Sequence, residues 1–454
     1  MNALVVLGDV LLDRDVVGAA TRLCPDGPVP VVEQLEERVR AGGAGLTASL
    51  LRRQAPDVAV RLVTAVAADA AGTEARRWIE DRGIDVVDLV DHGTTNEKIR
   101  VRVDGRTLLR VDRGRAGPVG GVPDGCRPLG DAVAVLVSDY GLGITSHPEV
   151  RSMIAAALAE GVPVVWDPHP RGTVPVPGTT VALPNAVEAG LDRACPTDLA
   201  RVARRAVELG REWQVGAVAL TIGAGGALLA SGDGVPLVVP VDEVHELGDT
   251  CGAGDAFAAA MTVALADGAV PSHAVLHAVR AASAYVRDGG VGPAFRHDER
   301  QPPSLAPERG RTVAAGGCFD ILHAGHVAML HHARRLGDRL VVLLNSDESV
   351  RRLKGPGRPV QRAVDRAAVL RSLSCVDEVV VFDEDTPTAA LERLRPAVFV
   401  KGGDYTHRHV EESAAVDRWG GTVVTVPYVD GLSTTRLLAT ARSADLGGGG
   451  RHAD

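Results

Sequence analysis

The run Asp249-Thr250-Cys251-Gly252-Ala253-Gly254-Asp255 leads directly into an alanine-rich stretch, AFAAAMTVALA. Glycines that open a helix expose backbone N–H groups at its positive end. That makes an anion site suited to a phosphoryl group in transit. The carboxylate of Asp255, in the same turn, is placed to take a proton from an attacking hydroxyl. A plain glycine turn capping a helix reads the same over so short a run, so the motif takes its weight from its company.

A second constellation lies near residue 320. From Ala315 the chain reads AGGCFDILHAGHVAMLHHARRLGD, a strand (Thr312–Ala315) running through glycines into a helix that carries His323 and His326. Spacing i, i+3 puts both imidazoles on one face of the first turn, at the positive helix end. Two donors there can stabilise charge on an α-phosphate during in-line displacement of pyrophosphate. The competing reading is zinc, but no third ligand follows at useful spacing. His331 and His332 fall on later turns and read as solvated or packed.

These residues need a scaffold, and the chain supplies one. Strand-like runs, Leu4–Asp9, Ala132–Tyr140, Val162–Pro168 and Gly216–Gly223, alternate with helix-like segments and end in small or acidic residues. Alternation of this kind predicts a parallel sheet with helices on its faces and ligands beyond the carboxyl ends of the strands. Ser146 to Glu149 reads as a helix opening, and Gly161 as its close. The polar, proline-rich stretch 297–311 marks a linker, after which a fresh α/β pattern begins. The expected division is therefore a first domain over 1–296, a linker over 297–311, a second domain over 312–441 and a disordered tail over 442–454.

At 454 residues, more than one core is expected. Apolar residues at 45% and charged residues at 24% are ordinary for a folded protein, and a net charge of −9 gives no footprint for a nucleic-acid polyanion. The six cysteines have no metal spacing and read as free thiols of a reducing cytosol. The start MNALVVLGDVLLDRD has no signal-peptide pattern, and the apolar runs are strand-length. A cytoplasmic protein without membrane or nucleic-acid partners is expected.

With other pieces in order, the first half resembles the ribokinase-like sugar kinases, whose GAGD signature falls at Gly252, Ala253, Gly254 and Asp255. The family's Asn-x-x-Glu, which arranges metal and phosphates, matches Asn185 and Glu188. Its Thr-x-Gly nucleotide turn matches Thr221 and Gly223. An N-terminal Gly-Asp matches Gly8–Asp9, with Asp13 as sugar ligand, and its glycine pair near the substrate matches Gly42 and Gly43. The segments 22–33, 95–103, 108–112 and 137–143 resemble more closely the kinase half of bifunctional ADP-heptose synthases. Lys98, Arg100 and Arg110 are cations beside a lid-like region, suited either to a sugar phosphate or to a solvated face. One departure stands out: Leu46 occupies a place where the related enzymes carry asparagine, so a sugar hydroxyl loses a partner there.

The second half resembles the HxGH nucleotidyltransferases over residues 311–441. Lys354 and Lys401, each beside glycine, fall at phosphate-binding positions. Asp365-Arg366 resembles the family's acidic-Arg pair. Ser433, Thr434 and Thr435 open a helix that can hold β- and γ-phosphates. The resemblance implies an α/β protein: a ribokinase-like three-layer domain followed by a smaller Rossmann-like nucleotidyltransferase domain. It implies ATP as substrate of both and Mg²⁺ held mainly by nucleotide, without a direct protein cage and with Glu188 acting through water. The first domain would phosphorylate a heptose 7-phosphate at C1 and the second would adenylylate the heptose 1-phosphate. Sugar phosphates and nucleotides would be the partners, with a homodimer formed through the kinase domain. Three alternatives stay open: another sugar phosphate, CTP in the second site, or a kinase half that binds without catalysis.

Overall fold

The computed structural model describes residues 2–27, 29–89, 93–103, 106–123, 125–191, 198–232, 234–241, 250–290, 310–402 and 412–426. The chain forms two compact units, one of Met1–Arg193, Arg205–Gly232 and Val241–Pro302, the other of Ala194–Arg204, Asp233–Pro240 and Pro303–Asp454. Most of the expected linker and the whole expected tail lie outside the described residues.

In chain order the first half carries β1 (Ala3–Gly8), β2 (Val10–Leu23), β3 (Pro30–Gly43), α1 (Ala44–Gln54), β4 (Ala59–Thr64), α2 (Ala70–Glu80) and β5 (Asp85–Asp88). There follow β6 (Thr94–Val103), β7 (Arg106–Arg115), β8 (Ala132–Ser138), α3 (Pro148–Ala159), β9 (Val164–Asp167) and β10 (Val181–Ala182). Then come α4 (Leu199–Trp213), β11 (Val218–Thr221), β12 (Ala227–Ala230), β13 (Leu237–Val239), α5 (Ala253–Ala266) and α6 (Pro271–Arg287).

In the first unit the main sheet runs β12-β11-β10-β9-β8-β1-β4-β5, parallel except for the antiparallel β11–β12 pair. All six residues of β1, ALVVLG, are buried, the pattern of a strand covered on both faces. Below one face, Val5, Leu7, Val137, Ile154 and Trp166 share a core cluster. Gly8 ends β1 with a cramped backbone, because a Cβ there would meet the Ser138 carbonyl at 2.0 Å.

A second sheet, β3-β2-β6-β7, was legible only as the lid-like stretch around Lys98. Its hairpin, β2 paired antiparallel with β3, returns the chain to Gly42 and Gly43 opposite Leu11 and Val10. Gly43 adopts φ +60 and a Cβ on it would strike the Asp9 carbonyl at 2.4 Å, so only glycine turns this strand into α1. The helix expected to open at Ser146 is α3. Its N-cap is His147 without a side-chain cap bond, while the Ser146 hydroxyl donates to the Gly143 carbonyl within a 3-10 turn. Pro148 pre-sets the first helical φ and makes a capping hydroxyl unnecessary.

The second half carries β14 (Thr312–Gly317), α7 (Ala324–Arg335), β15 (Arg339–Asn345), α8 (Asp347–Lys354), α9 (Ala363–Arg371) and β16 (Glu378–Phe382). It continues with α10 (Thr388–Leu394), β17 (Val398–Gly402), α11 (Ser413–Asp417) and β18 (Thr422–Val426). The sheet order in the second unit is β16-β15-β14-β17-β18, all parallel, with β13 paired to β18 through Leu237 and Thr425. Ala314, Val341, Leu343 and Phe399 pack into its core.

Candidate functional sites

The first site lies where the parallel strands of the first unit end. Gly252 (φ +82) is the N-cap of α5 and has no side chain to cap it; the Ala253 amide is taken by the Thr250 carbonyl at 3.1 Å, while no side chain caps the amides of Gly254 and Asp255. A Cβ on Gly252 would meet the Tyr285 hydroxyl at 2.6 Å, and Tyr285 itself donates to the Cys251 carbonyl at 3.0 Å. Gly254, by contrast, has open space where a Cβ would stand. The turn is thus packed behind and open in front, as approach by a phosphate requires.

A cleft of about 180 Å³ opens there, lined by Asp255, Gly254, Asn185, Glu188, Thr221 and Asp167 among others. Thr221, at the end of β11, bridges to Asn185. Asn185 and Glu188 lock each other. Asn185 Oδ1 accepts from the amides of Val187 (2.9 Å) and Glu188 (3.0 Å), and Glu188 Oε2 accepts from the Asn185 amide at 2.8 Å. Asn185 is therefore a turn residue and a lining residue at once. Gly223 starts a 3-10 turn at φ +60 just beyond.

The electrostatics of this cleft are those of crowded carboxylates. Burial pushes Asp255 up, opposed by hydroxyls from Thr47 and Tyr140. Burial raises Glu188 too. Asp167 is driven well above the carboxylate range, first by burial and then by repulsion from Asp255, Glu188 and Asp139. Oxygen donors that cannot comfortably hold their charge suit a hard divalent cation. They form no cage, since among the described residues no three His, Cys, Asp or Glu side chains are grouped to enclose a metal ion.

On the lid side, Asp13 is buried and faced by two guanidiniums, Arg100 at 2.8 Å and Arg40 at 3.4 Å. Lys98 sits 5.4 Å from the Tyr140 ring centroid, and burial lowers its ammonium pKa. Arg110, opposite Arg100 on β7, is exposed and bonds Asp112 at 2.7 Å. Gly42 makes room for Asp13, because a Cβ there would stand 2.6 Å from its Oδ2. Leu46 lies against the α5 turn, its Cδ2 3.3 Å from where a Gly252 Cβ would be. It packs the turn apolarly, at the place where the sequence expected a sugar hydroxyl to lose a partner.

Asp9 was matched in sequence but its work was not. Its carboxylate accepts from the amides of Tyr140 (3.1 Å), Leu142 (3.0 Å) and Ile144 (3.2 Å), and burial raises its pKa to about 6. It fixes the loop that delivers Tyr140 to Asp255. Tyr140, Thr47, Asp167 and His169 all went unmarked as site residues. A signal existed for Asp167, an acidic residue at the carboxyl end of a strand, where α/β sheets bind ligands.

The second site is built on β14 and α7. His323 is the N-cap of α7 and His326 its third residue, and their rings stack with centroids 3.9 Å apart. Nδ1 of each ring is buried without a hydrogen-bond partner among the described residues. Burial depresses both, and with the added influence of His323 and Lys354 the pKa of His326 falls to about 4. Both imidazoles are therefore neutral donors at pH 7. Lys354, exposed at the end of α8, is close enough to act on His326. Lys401, next to the last residue of β17, forms an ion pair with Glu412 at 2.9 Å. Ser433, Thr434 and Thr435 lie outside the described residues.

Two buried groups stiffen this loop. Asp320 accepts from the amides of Val360 (2.7 Å) and Gln361 (3.1 Å) and pairs with Arg358 at 2.7 Å. Arg366 is fully buried, donating to the carbonyls of Cys318 (2.6 Å), Asn345 (2.9 Å) and Gln361 (2.9 Å) and to Asp347 at 2.7 Å. A buried guanidinium tolerates this place because its donors are met. Among the described residues Cys24, Cys126, Cys318 and Cys375 are free thiols.

Residues 1–297 match the pfkB family of carbohydrate kinases, and residues 314–437 match a cytidylyltransferase-like family. The chain is 48% identical to a protein of Streptomyces coelicolor named "Bifunctional protein HldE", across 96% of each chain. Proteins of the same name from Geobacter sulfurreducens and Caulobacter vibrioides are each 37% identical, over 96% and 97% of this chain and 95% and 97% of theirs. Fold and sites together define a two-domain enzyme, a ribokinase-like carbohydrate kinase fused to a nucleotidyltransferase. The chain belongs to the family of bifunctional HldE proteins.

The depressed His326 has a thermodynamic consequence. Between the ordinary imidazole pKa and about 4, the unfolded chain binds a proton that the folded chain refuses. The contribution to stability is full above about pH 6.5 and is lost as pH falls through about 4. Urea unfolding of the full chain at pH 7 and pH 4.5 is expected to show a drop for the second unit that shrinks in His326→Gln. An equal drop in both proteins would contradict the assignment.

Proposed function

We propose that the chain makes an ADP-activated heptose in two separated steps. The first unit phosphorylates D-glycero-D-manno-heptose 7-phosphate at C1. Asp255 takes the proton of the C1 hydroxyl as its oxygen bonds to the γ-phosphorus of ATP and ADP departs. Of the α5 amides at 252–254, those of Gly252 and Gly254 meet the charge on the moving phosphoryl group, the Ala253 amide being held by the Thr250 carbonyl. Lys98, Arg100 and Arg110 with Asp13 hold the sugar phosphate. Asn185, Glu188, Thr221 and Gly223 line the nucleotide. A magnesium ion carried with ATP would neutralise phosphate charge, and Asp167 and Glu188 are the side chains to hold it, directly or through water.

A separate phosphatase step removes the 7-phosphate. In the second unit an oxygen of heptose 1-phosphate attacks the α-phosphorus of ATP and pyrophosphate leaves. His323 and His326 donate to the developing charge, and Lys354 and Lys401 complement the departing phosphates. The observation that carries this reading is the pairing of two helix openings with opposite equipment, a carboxylate base at α5 and neutral imidazoles at α7. A cytoplasmic location suits an enzyme that uses ATP and sugar phosphates, and no described helix is long and apolar enough to cross a membrane.

We also propose a homodimer through the lid sheet. All ten residues of β7 are exposed, including Leu108, Leu109 and Val111. Exposed apolar edge strands of this kind are usually covered.

Phosphorus NMR with the heptose 7-phosphate and ATP, then with heptose 1-phosphate and ATP or CTP, tests the reactions. Asp255→Asn should cut the kinase step by at least about 10²-fold and leave adenylyl transfer. His326→Ala should do the reverse, by about 10²-fold or more. Loss of both activities in either folded variant, or pyrophosphate release with CTP alone, would overturn the reading. For the assembly, sedimentation should find a dimer that Leu109→Asp dissociates; a monomeric parent would refute it.

A further inference from the structure

A buried general base must be aimed before its substrate arrives, and Asp255 is aimed by groups far away in sequence. Its Oδ1 receives the Tyr140 hydroxyl at 2.9 Å and, closer still, the Thr47 hydroxyl. Thr47 is fully buried in the first turn of α1, 208 residues from Asp255 in the chain. Threonine is a poor choice for helix propensity alone, so its hydroxyl must find a use.

Three oxygens surround that hydroxyl. The Gly43 carbonyl lies at 3.2 Å and the Ser138 hydroxyl at 3.1 Å, and Asp255 Oδ1 is the nearest. One hydroxyl has one proton to give, and an ionised carboxylate is the strongest acceptor of the three. Thr47 therefore donates to Asp255. Ser138, fully buried at the end of β8, then donates to Thr47 Oγ1. The result is a directed chain, Ser138 to Thr47 to Asp255, through three separate elements.

We propose that Thr47 is a positioning residue for the kinase base: the Ser138–Thr47 hydroxyl chain, with Tyr140, occupies Oδ1 and leaves Oδ2 as the oxygen that takes the sugar proton. The inference rests on Asp255 being that base. Thr47 touches no substrate and acts through the carboxylate alone. Its neighbour Leu46 packs against the Gly252 turn, so two adjacent residues of α1 support both parts of the α5 motif, one by contact and one by hydrogen bond.

The hydroxyls of Thr47 and Tyr140 also oppose the burial that raises Asp255, so removing one raises it further. Of the charged groups facing Asp255, Asp13 acts in the same direction as burial and Lys98 against it, and Asp167 stands across the cleft. Thr47→Val keeps the shape and deletes the donor. Kinase kcat should fall roughly tenfold, part of what a general base supplies, with KM for ATP and sugar phosphate nearly unchanged. The acid limb of the kinase pH profile should move to higher pH. Thr47→Ser should restore both, and Tyr140→Phe should move the limb in the same direction.

Adenylyl transfer by the same chains reports that each variant is folded. If folded Thr47→Val keeps the parent's kcat and acid limb while Asp255→Asn is inactive, the positioning role is wrong and the base stands. A lowered melting temperature with an unmoved limb would likewise reduce Thr47 to a packing residue. If Asp255→Asn retains kinase activity, both the inference and the reading beneath it fail.

Discussion

The first unit is organised around carboxylates that have been taken out of water at the carboxyl ends of parallel strands. Each one needs compensation, because a buried charge without partners is costly. Asp9 is met by three loop amides, and Asp139 by the Gly141 amide at 2.8 Å, the Thr145 hydroxyl at 2.9 Å and the Thr173 amide at 3.2 Å. Asp13 is met by arginines and Asp255 by hydroxyls. Asp167 is raised by burial and by its neighbours Asp255, Glu188 and Asp139, and it faces the cleft. The fold thus satisfies these structural carboxylates internally and leaves facing the cleft a carboxyl, Asp167, that cannot comfortably hold its charge without a cation.

The second unit solves a related problem with the opposite sign. Its helix opening presents two imidazoles instead, His323 depressed by burial and His326 by burial and further by His323 and Lys354. Neutral donors at a positive helix end can meet an α-phosphate without the desolvation that a fixed cation would demand. The loop that presents them is held from behind by Asp320 and Arg366, whose hydrogen bonds leave neither group free to turn toward a ligand.

What was legible in the sequence was whatever residue type alone can announce. Glycines at a helix opening, paired histidines and Val-rich strands bounded by small residues reported both halves, the parallel sheets and the two openings. The lid hairpin β2–β3 was not legible, because its charged run EQLEERVR has no clear alternation and its partners come from β6, far along the chain. Thr47 and Tyr140 escaped for a related reason. Their meaning lies in contacts spanning 208 and 115 residues, which no local pattern encodes. Ser146 misled as a cap because a proline at the first helical position does the same work.

The central claim is that the two openings, at α5 and α7, are aimed at phosphorus. Crystals of the full chain soaked with a non-hydrolysable ATP analogue and magnesium test it most directly. The account predicts triphosphate density at Gly252–Asp255 and, separately, beside His323 and His326. Triphosphate bound elsewhere, with both openings filled only by water, would contradict it.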